Sequence, residues 1–124
     1  MFDHVKFGVS DFALSKAFFL NALAPLGVKI VAEGDPGYGI ELCPERGNVS
    51  LCLFQTDEKP AHLHLAFAAS SREQVDAFYH AALNAGGNLA APSRSKIFCR
   101  LMSLTLLFPT LLISEVPQPS VWRT

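Results

Sequence analysis

The sequence has few cysteines, and it lacks both long charged runs and an apolar run long enough to cross a membrane. Its three cysteines, Cys43, Cys52 and Cys99, show no Cys-x-x-Cys spacing. This pattern favours free thiols in a reducing cytoplasm over a disulfide framework. The most apolar segment, residues 101–113, is well short of the roughly 20 residues that a bilayer requires, and Pro109 interrupts it. The first residues do not show a basic start followed by an apolar stretch, so the sequence does not predict a secretory signal. We therefore expect a cytoplasmic protein without a membrane span.

An excess of positive charge is also missing. Ten basic residues oppose eleven acidic ones, for a formal net charge of -1. Without a basic patch, the sequence does not predict a nucleic-acid partner. Half of the 124 residues are apolar, which is enough for one domain with its own core.

What the sequence does contain is an internal repeat. Residues 4–27 align without gaps onto residues 64–87 at a constant offset of 60, with eight identities in 24 positions. About two identities would arise by chance at ordinary composition. The identical pairs are His4/His64, Phe7/Phe67, Ser10/Ser70, Ala17/Ala77, Phe18/Phe78, Ala22/Ala82, Leu23/Leu83 and Gly27/Gly87. Two copies of about 60 residues predict a duplicated module, not a solenoid.

Each copy has the same local pattern. A short strand that begins at its histidine, "HVKFGV" or "HLAFAA", precedes a helix with an apolar face of helical period. A serine is expected to cap each helix, and Ser70 with Glu73 has the spacing of a capping box. Gly27 and Gly87 are expected to end the helices, since glycine adopts the left-handed cap without strain.

Three strand-like segments follow the first helix, at 28–34, 38–44 and 48–55. The turn sequences "GDPG" and "PERG" separate them. The second copy is expected to repeat this arrangement, with strands near 96–101, 103–108 and 110–116. The predicted organisation is one α+β domain of two βαβββ modules, 1–57 and 60–116, with a tail at 117–124.

The duplication points to His4 and His64 as equivalent residues. Each begins the leading strand of its module, so pseudo-twofold packing would bring both imidazoles to one cavity. Two imidazoles and a carboxylate form a common site for a divalent ion with open positions for a substrate. The alternative is a partly buried polar residue at a strand end. His62 shares the face of His64 on a strand and is a possible second ligand or supporting residue.

The third metal ligand is expected to be a carboxylate on a late strand. Glu115 lies 51 residues after His64, and Gln55 lies 51 residues after His4. Glu41 is another acidic residue within an apolar strand, although an outward-facing position explains it as well. The predicted metal ligands are therefore His4, His64 and Glu115.

Two segments resemble the vicinal oxygen chelate superfamily, which includes glyoxalases, bleomycin-resistance proteins and extradiol dioxygenases. They are "FDHVKFGVSDFALSKAFFLNALAPLG" and "HLAFAASSREQVDAFYHAALNAGG". The resemblance covers residues 1 to about 88. It implies two βαβββ modules that form a U-shaped, partly open mixed β-barrel. It also implies a divalent metal (Mn, Fe, Zn or Ni) held by His4, His64 and a glutamate of the final strand.

The sequence departs from this family after Gly87. Relatives end with an Asp-Pro-Asp-Gly turn and a last strand that carries the glutamate, and this chain has no such turn. A frameshift in the coding sequence is one explanation, which the nucleotide sequence would test.

Three functions follow from the resemblance and the departure. The first is a metal-dependent lyase, isomerase or dioxygenase that acts on a small molecule with adjacent oxygens. The second is a metal-free binding protein whose ligand lies between apolar walls, with four aromatic residues as candidate lining: Phe7, Phe67, Phe54 and Tyr38. The third is a folded domain without activity. We also expect a homodimer, because the edges of an open barrel favour pairing.

Overall fold

The structure is a computed structural model that describes residues 2–58, 65–89, 99–103 and 111–115. For residues 88–89, 99–103 and 111–115 the description is limited to the backbone. No helix among these residues is long and apolar enough to cross a membrane.

The described chain runs twice through the order strand, helix and three strands. The first pass contains β1 (His4–Val9), α1 (Phe12–Leu23), a 3-10 turn (Ala24–Leu26), β2 (Val28–Glu33), β3 (Ile40–Pro44) and β4 (Ser50–Gln55). The second contains β5 (Leu65–Ala69), α2 (Arg72–Asn84), β6 (Asn88–Leu89), β7 (Cys99–Ser103) and β8 (Leu111–Glu115).

Both passes build a four-stranded mixed sheet of the same topology. The strand orders are β1-β4-β3-β2 and β5-β8-β7-β6. β1 pairs with β4 in parallel, and β5 pairs with β8 in parallel. The register also repeats at an offset of 60, since Val5 pairs with Leu51 and Leu65 pairs with Leu111. The predicted α+β class with a partly open mixed sheet is confirmed. The residues at which the modules meet, 57 and 60, stay a prediction.

The predicted strands of the second sheet are partly wrong. The first was expected at 96–101, but β6 follows α2 directly at Asn88–Leu89, and β7 occupies Cys99–Ser103. Residues 96–98 of that expected strand, and residues 104–108 of the second, expected at 103–108, lie outside the described residues. The third, expected at 110–116, matches β8. The segment 101–113 is apolar almost throughout, so neither alternation nor turn chemistry marks where its strands end.

The helix caps lie one residue from their predicted positions. Asp11, not Ser10, caps α1 by accepting a hydrogen bond from the backbone N–H of Leu14 at 2.9 Å. Ser71, not Ser70, caps α2 and accepts from the backbone N–H of Gln74. The Gln74 side chain accepts from the backbone N–H of Ser70, one residue before the cap, so the predicted capping box of Ser70 and Glu73 is replaced by contacts of Gln74.

The helix ends show one agreement and one correction. Gly27 has φ +72° after the 3-10 turn, as its position predicted. In the second module Gly86, with φ +100°, takes the left-handed conformation, and Gly87 follows it. Both glycines are available at that end, and the length of α2 decides which one turns the chain.

One core joins the two modules. Its buried apolar residues come from both helices and from β1, β3, β4 and β5, and they include Phe19, Leu53, Val75 and Phe78. The helices α1 and α2 pack against each other. Burial of a phenylalanine side chain contributes about 1.5–3 kcal/mol, so this shared cluster stabilises both modules together.

The described helices cover one face of the first sheet, and no described helix covers the other. Ile40, Leu42, Leu51 and Leu53 are buried on the helix side. Because side chains alternate along a strand, the residues between them lie on the other face. A register shift between Ile30 and Ala32 pairs Glu33 with Ile40, and there Glu33 forms an ion pair with Lys16 of α1.

Candidate functional site

The face of the first sheet away from the described helices carries several of the polar and reactive side chains of its strands. We call it the open face and define it by His4, Lys6 and Gly8 of β1, Glu41 and Cys43 of β3, and Ser50, Cys52 and Phe54 of β4. The register places His4 beside Ser50, Lys6 beside Cys52 and Gly8 beside Phe54. Glu41 pairs with Cys52 from the other side, so it lies two strands from Lys6, about 10 Å across the sheet.

Lys6 lies between two aromatic rings on this face. Its Nζ is 5.0 Å from the ring centroid of Phe54 and 5.9 Å from that of Tyr38. It also donates a hydrogen bond of 3.4 Å to the backbone carbonyl of Tyr38. Both distances to the rings are within the range of cation–π attraction. The Tyr38 carbonyl and the two rings thus orient the ammonium group, while the Lys6 side chain stays exposed.

The loop between β2 and β3 brings Tyr38 to this position. The Asp35 carboxylate accepts hydrogen bonds from the backbone N–H groups of Gly37 at 2.9 Å and Tyr38 at 3.1 Å. The carbonyl of Pro36 accepts from the backbone N–H of Gln55 at 2.7 Å, which fastens the loop to the end of β4. The turn sequence "GDPG", predicted as a simple connection, therefore also positions an aromatic side chain of the site.

Gly8 leaves room beside Phe54. A Cβ at Gly8 would lie 2.2 Å from the side-chain methyl of Thr56 and 3.3 Å from the Phe54 ring. Any larger residue would displace one of the two. Glycine at this position therefore leaves room for the Thr56 methyl and for the Phe54 ring.

His4 lies at the start of the open face. Its Nδ1 is 3.0 Å from the Asp3 carboxylate, and the side chain is 55% exposed. A carboxylate on one ring nitrogen is a common support for a histidine that binds metal through the other nitrogen. His4 thus fits one position of a metal site.

The other predicted ligands are described less fully. His64 and His62 lie outside the described residues, and for Glu115 the description ends at the backbone of β8. Within residues 2–58 and 65–87, no three His, Cys, Asp or Glu side chains come together to hold an ion. The ligand set His4, His64 and Glu115 stays a prediction.

The register of β8 identifies the residue of the first sheet that is equivalent to Glu115. Glu115 pairs with Ala69 as Gln55 pairs with Val9, so Glu115 and Gln55 occupy equivalent backbone positions. In the first sheet Gln55 is five residues beyond Ser50, the residue that pairs with His4, or about 16 Å along the strand. The Gln55 amide contacts the turn before α1: it accepts from the backbone N–H of Phe12 and donates to the carbonyl of Ser10.

Of the four predicted lining aromatics, Phe54 belongs to the open face, Tyr38 lies beside it in the β2–β3 loop, and the other two face the helices. Phe54 and Tyr38 flank Lys6. Phe7 and Phe67 instead face the helices, with ring centroids 6.0 Å from Phe19 and 6.1 Å from Phe78. Residue type alone could not separate these pairs, because strand parity decides the face.

Sequence reasoning missed Lys6. The signal was present, since Lys6 is two residues after His4 on a predicted strand and so shares its face. The partner rings come from elements 32 and 48 residues away along the chain, and no local pattern links them to Lys6.

A recess of about 320 Å³ lies on the helix side, at the end of the sheet where β1 and β4 begin. Its described lining is mostly apolar and includes Leu26, Val28, Leu51 and Leu65. It opens between the two modules, on the side away from Lys6. We regard it as a competing location for an apolar ligand.

Comparison with known structures defines the fold class. A glyoxalase/bleomycin resistance protein from Albidiferax ferrireducens T118 matches with a TM-score of 0.77 and 24% identity, over 94% of this chain and 99% of that one. A putative glyoxalase from Bacillus halodurans matches with a TM-score of 0.75 and 21% identity, over 94% and 96%. TnmS3, an antibiotic binding protein from Streptomyces sp. CB03234, matches with a TM-score of 0.67 and 18% identity, over 94% and 96%.

The glyoxalase fold is therefore that of this chain. The model of the glyoxalase/bleomycin resistance protein/dioxygenase superfamily matches residues 1–100, and the chain belongs to this superfamily. The family resemblance found in the sequence is confirmed. A comparison with curated proteins gave no match.

Proposed function

We propose that the chain binds a small organic molecule on its open face and that this binding does not depend on a metal. The observation that carries the proposal is the ordered group of Lys6, Phe54 and Tyr38 on a sheet face that none of the described helices covers. Binding sites typically combine apolar walls with a few oriented polar groups. The fold of TnmS3, which is an antibiotic binding protein, is compatible with this function.

A thermal-shift screen in buffer with a chelator tests the proposal. Planar aromatic compounds are expected to raise the Tm of the whole chain, because a ligand that binds the native state stabilises it by mass action. The Phe54→Ala variant should lose this response. Leu14→Ala, which removes an exposed apolar side chain of α1, serves as the matched control and should keep it. A chain whose Tm responds to divalent ions and to no organic compound would contradict the proposal.

The second candidate is a metal-dependent lyase, isomerase or dioxygenase, and the His4–Asp3 contact favours it. His4, His64 and Glu115 would hold the ion, with Mn, Fe, Zn or Ni as the expected metal. When bound, the ion would act as a Lewis acid toward a substrate with adjacent oxygens. In the chain itself, Asp3 would keep the His4 ring oriented with its second nitrogen available.

Calorimetric titration with Zn²⁺, Mn²⁺ and Ni²⁺ separates this candidate from the first. His4→Ala should weaken binding of the ion, whereas His80→Ala, at an exposed position of α2, should leave it unchanged. Equal affinities in both variants and in the unaltered chain would exclude His4 as a ligand.

The proposed assembly is a homodimer in the cytoplasm. β2 ends the first sheet, and its Val31, at the register shift, is 59% exposed. Such an edge favours pairing with a second copy. Cys43 and Cys52 are free thiols, which suits a reducing compartment. Equilibrium sedimentation is expected to give the mass of a dimer, and a monomer at high concentration would overturn this assignment.

A further inference from the structure

Lys6 differs from the other lysines with described side chains in what balances its charge. Lys16 pairs with Glu33, and Lys29 pairs with Glu45. The Lys29 ammonium, through a hydrogen bond and through its charge, lowers the pKa of Glu45. Within residues 2–58 and 65–87, Lys6 has no carboxylate within ion-pair distance. Its positive charge is therefore not neutralised by the described part of the chain.

The surroundings hold the Lys6 ammonium in place and leave it able to donate. An ammonium group has three N–H donors. The Tyr38 carbonyl accepts one of them at 3.4 Å, and the two aromatic rings contribute attraction without accepting a strong hydrogen bond. Among the described residues no further acceptor reaches the Lys6 ammonium, so two donors stay available for an acceptor from outside the chain.

The rings beside Lys6 provide flat apolar surface next to this charge. Phe54 is half-buried, and Tyr38 is 60% exposed. Aromatic rings favour stacked or edge-on contact with other planar groups. The same few ångströms of surface therefore offer a cation for an anionic group and ring faces for a planar one.

The charge on the rest of the open face sets where an anion can lie. Glu41 is on the same face, two strands and about 10 Å from Lys6. Its carboxylate disfavours a second negative charge at the β3 side. A ligand with one anionic group at the β1 side satisfies both residues.

We propose that the open face binds a planar aromatic molecule that carries a single carboxylate-like group, which Lys6 binds while Phe54 and Tyr38 contact the ring. This inference rests on the proposed binding function and adds the chemical class of the ligand. It assigns Lys6 as the residue that determines specificity.

A matched pair of probes tests the inference: naphthalene-2-carboxylate and the neutral naphthalene-2-carboxamide. Each is titrated into the 15N-labelled full chain and followed by NMR chemical shifts, which report both affinity and location. The carboxylate is expected to bind more tightly, with shifts at β1, β4 and the β2–β3 loop. Lys6→Met should lower the affinity for the carboxylate by about tenfold and change the affinity for the carboxamide by less than twofold.

Three further variants separate the charge of Lys6 from general damage to the site. Lys6→Arg keeps the positive charge and should keep the preference for the carboxylate. Lys29→Met removes a lysine of β2, the strand at the opposite edge of the sheet from β1, where Glu45 already balances its charge. This variant should change neither affinity. Phe54→Leu removes the aromatic wall and should lower the affinity for both probes by a similar factor.

The possible outcomes distinguish the inference from the function on which it rests. Equal affinities for the two probes on the open face, unaffected by Lys6→Met, would overturn the ligand class while small-molecule binding stands. An open face that responds to neither probe would also overturn the ligand class. The proposed function itself fails if the chelator-buffered screen yields no organic ligand, or if the ligands that it yields bind away from the open face.

Discussion

At the scale of single residues, Gly39 sets how closely the β2–β3 loop approaches β4. Its φ of +94° is in the left-handed region that favours glycine. A Cβ there would lie 1.8 Å from the backbone carbonyl oxygen of Leu53. Gly39 therefore permits the contact that holds Tyr38 over the open face.

We predict that Gly39→Ala lowers stability and disturbs the site, because both the backbone angle and the clash oppose it. The free energy of unfolding should fall by about 2–3 kcal/mol, in the range expected for a strained backbone position. Urea denaturation measures this value.

Gly27→Ala is the matched control for Gly39→Ala. Gly27 has φ +72°, but a Cβ there would have no atom within 4 Å. It should lose only about 1 kcal/mol from the backbone preference. Equal losses at the two glycines would contradict the close approach at Leu53.

Residue type alone did not decide which of the four aromatic residues share the face of Lys6. Tyr38 and Phe54 were expected to line a ligand site, and both flank Lys6. Phe7 and Phe67 were expected there as well, and they pack toward the helices. The difference depends on strand parity, which the sequence contains, and on which face the helices cover, which only the tertiary packing settles.

At the scale of elements, Gln55 ties the end of β4 to the start of α1. Its Oε1 accepts from the Phe12 backbone N–H at 2.9 Å, and its Nε2 donates to the Ser10 carbonyl at 2.6 Å. One amide thus satisfies a helix N-terminal donor and a turn carbonyl that the helix itself cannot satisfy.

We predict that Gln55→Leu lowers the free energy of unfolding by about 1–3 kcal/mol, because it leaves both backbone groups without this partner. Gln55→Glu should cost less. Its carboxylate can still accept from Phe12 at the positive end of α1, although the donor to Ser10 is lost. Chemical denaturation of the two variants gives the ranking, and a Gln55→Leu chain as stable as the original would refute the capping role.

The Gln55 variants also inform the predicted metal ligand Glu115. The two positions are equivalent in the repeated register. A well-tolerated Gln55→Glu would indicate that a glutamate at this register position suits a helix-capping role. Loss of metal binding on Glu115→Gln, with His4→Ala as the comparison, would support its role as a ligand instead.

The elements of the first module could be predicted because turn residues mark their ends. β1 and the strands at 28, 40 and 50 follow the alternation and the "GDPG" and "PERG" turns closely. In the second module, residues 101–113 have apolar side chains almost throughout, and pairing with neighbouring strands, not local pattern, sets the bounds of β7 and β8.

At the scale of the whole molecule, the two modules share one core. Phe78 of α2 is fully buried in the same cluster as Phe19 of α1. The helices contact each other directly. We expect the chain to unfold as one unit, because neither module buries its apolar surface alone.

We predict that Phe78→Ala costs about 3–5 kcal/mol, as truncation of a buried phenylalanine usually does. Hydrogen exchange should show lower protection in β1 and β4 as well as in β5, since the core is shared. Leu14→Ala, at an exposed position, should cost less than 1 kcal/mol. Loss of protection confined to the second module would show that the modules unfold independently.

At the scale of the whole chain, the match to the family model ends within the region where the sequence departs from the family. The model matches residues 1–100 and leaves the last 24 unmatched. The frameshift hypothesis stays a prediction for the nucleotide sequence: an adjacent frame that encodes an Asp-Pro-Asp-Gly-like turn and a glutamate strand would support it. An adjacent frame without these features would exclude it.

The central claim, that the open face binds the ligand, is tested most directly by an NMR map of where a ligand from the screen binds. We predict that the shifted amide resonances concentrate at Lys6, Cys52 and Phe54 and in the β2–β3 loop. Shifts confined to the apolar recess near Leu26 and Leu65, with the open face unchanged, would contradict the account.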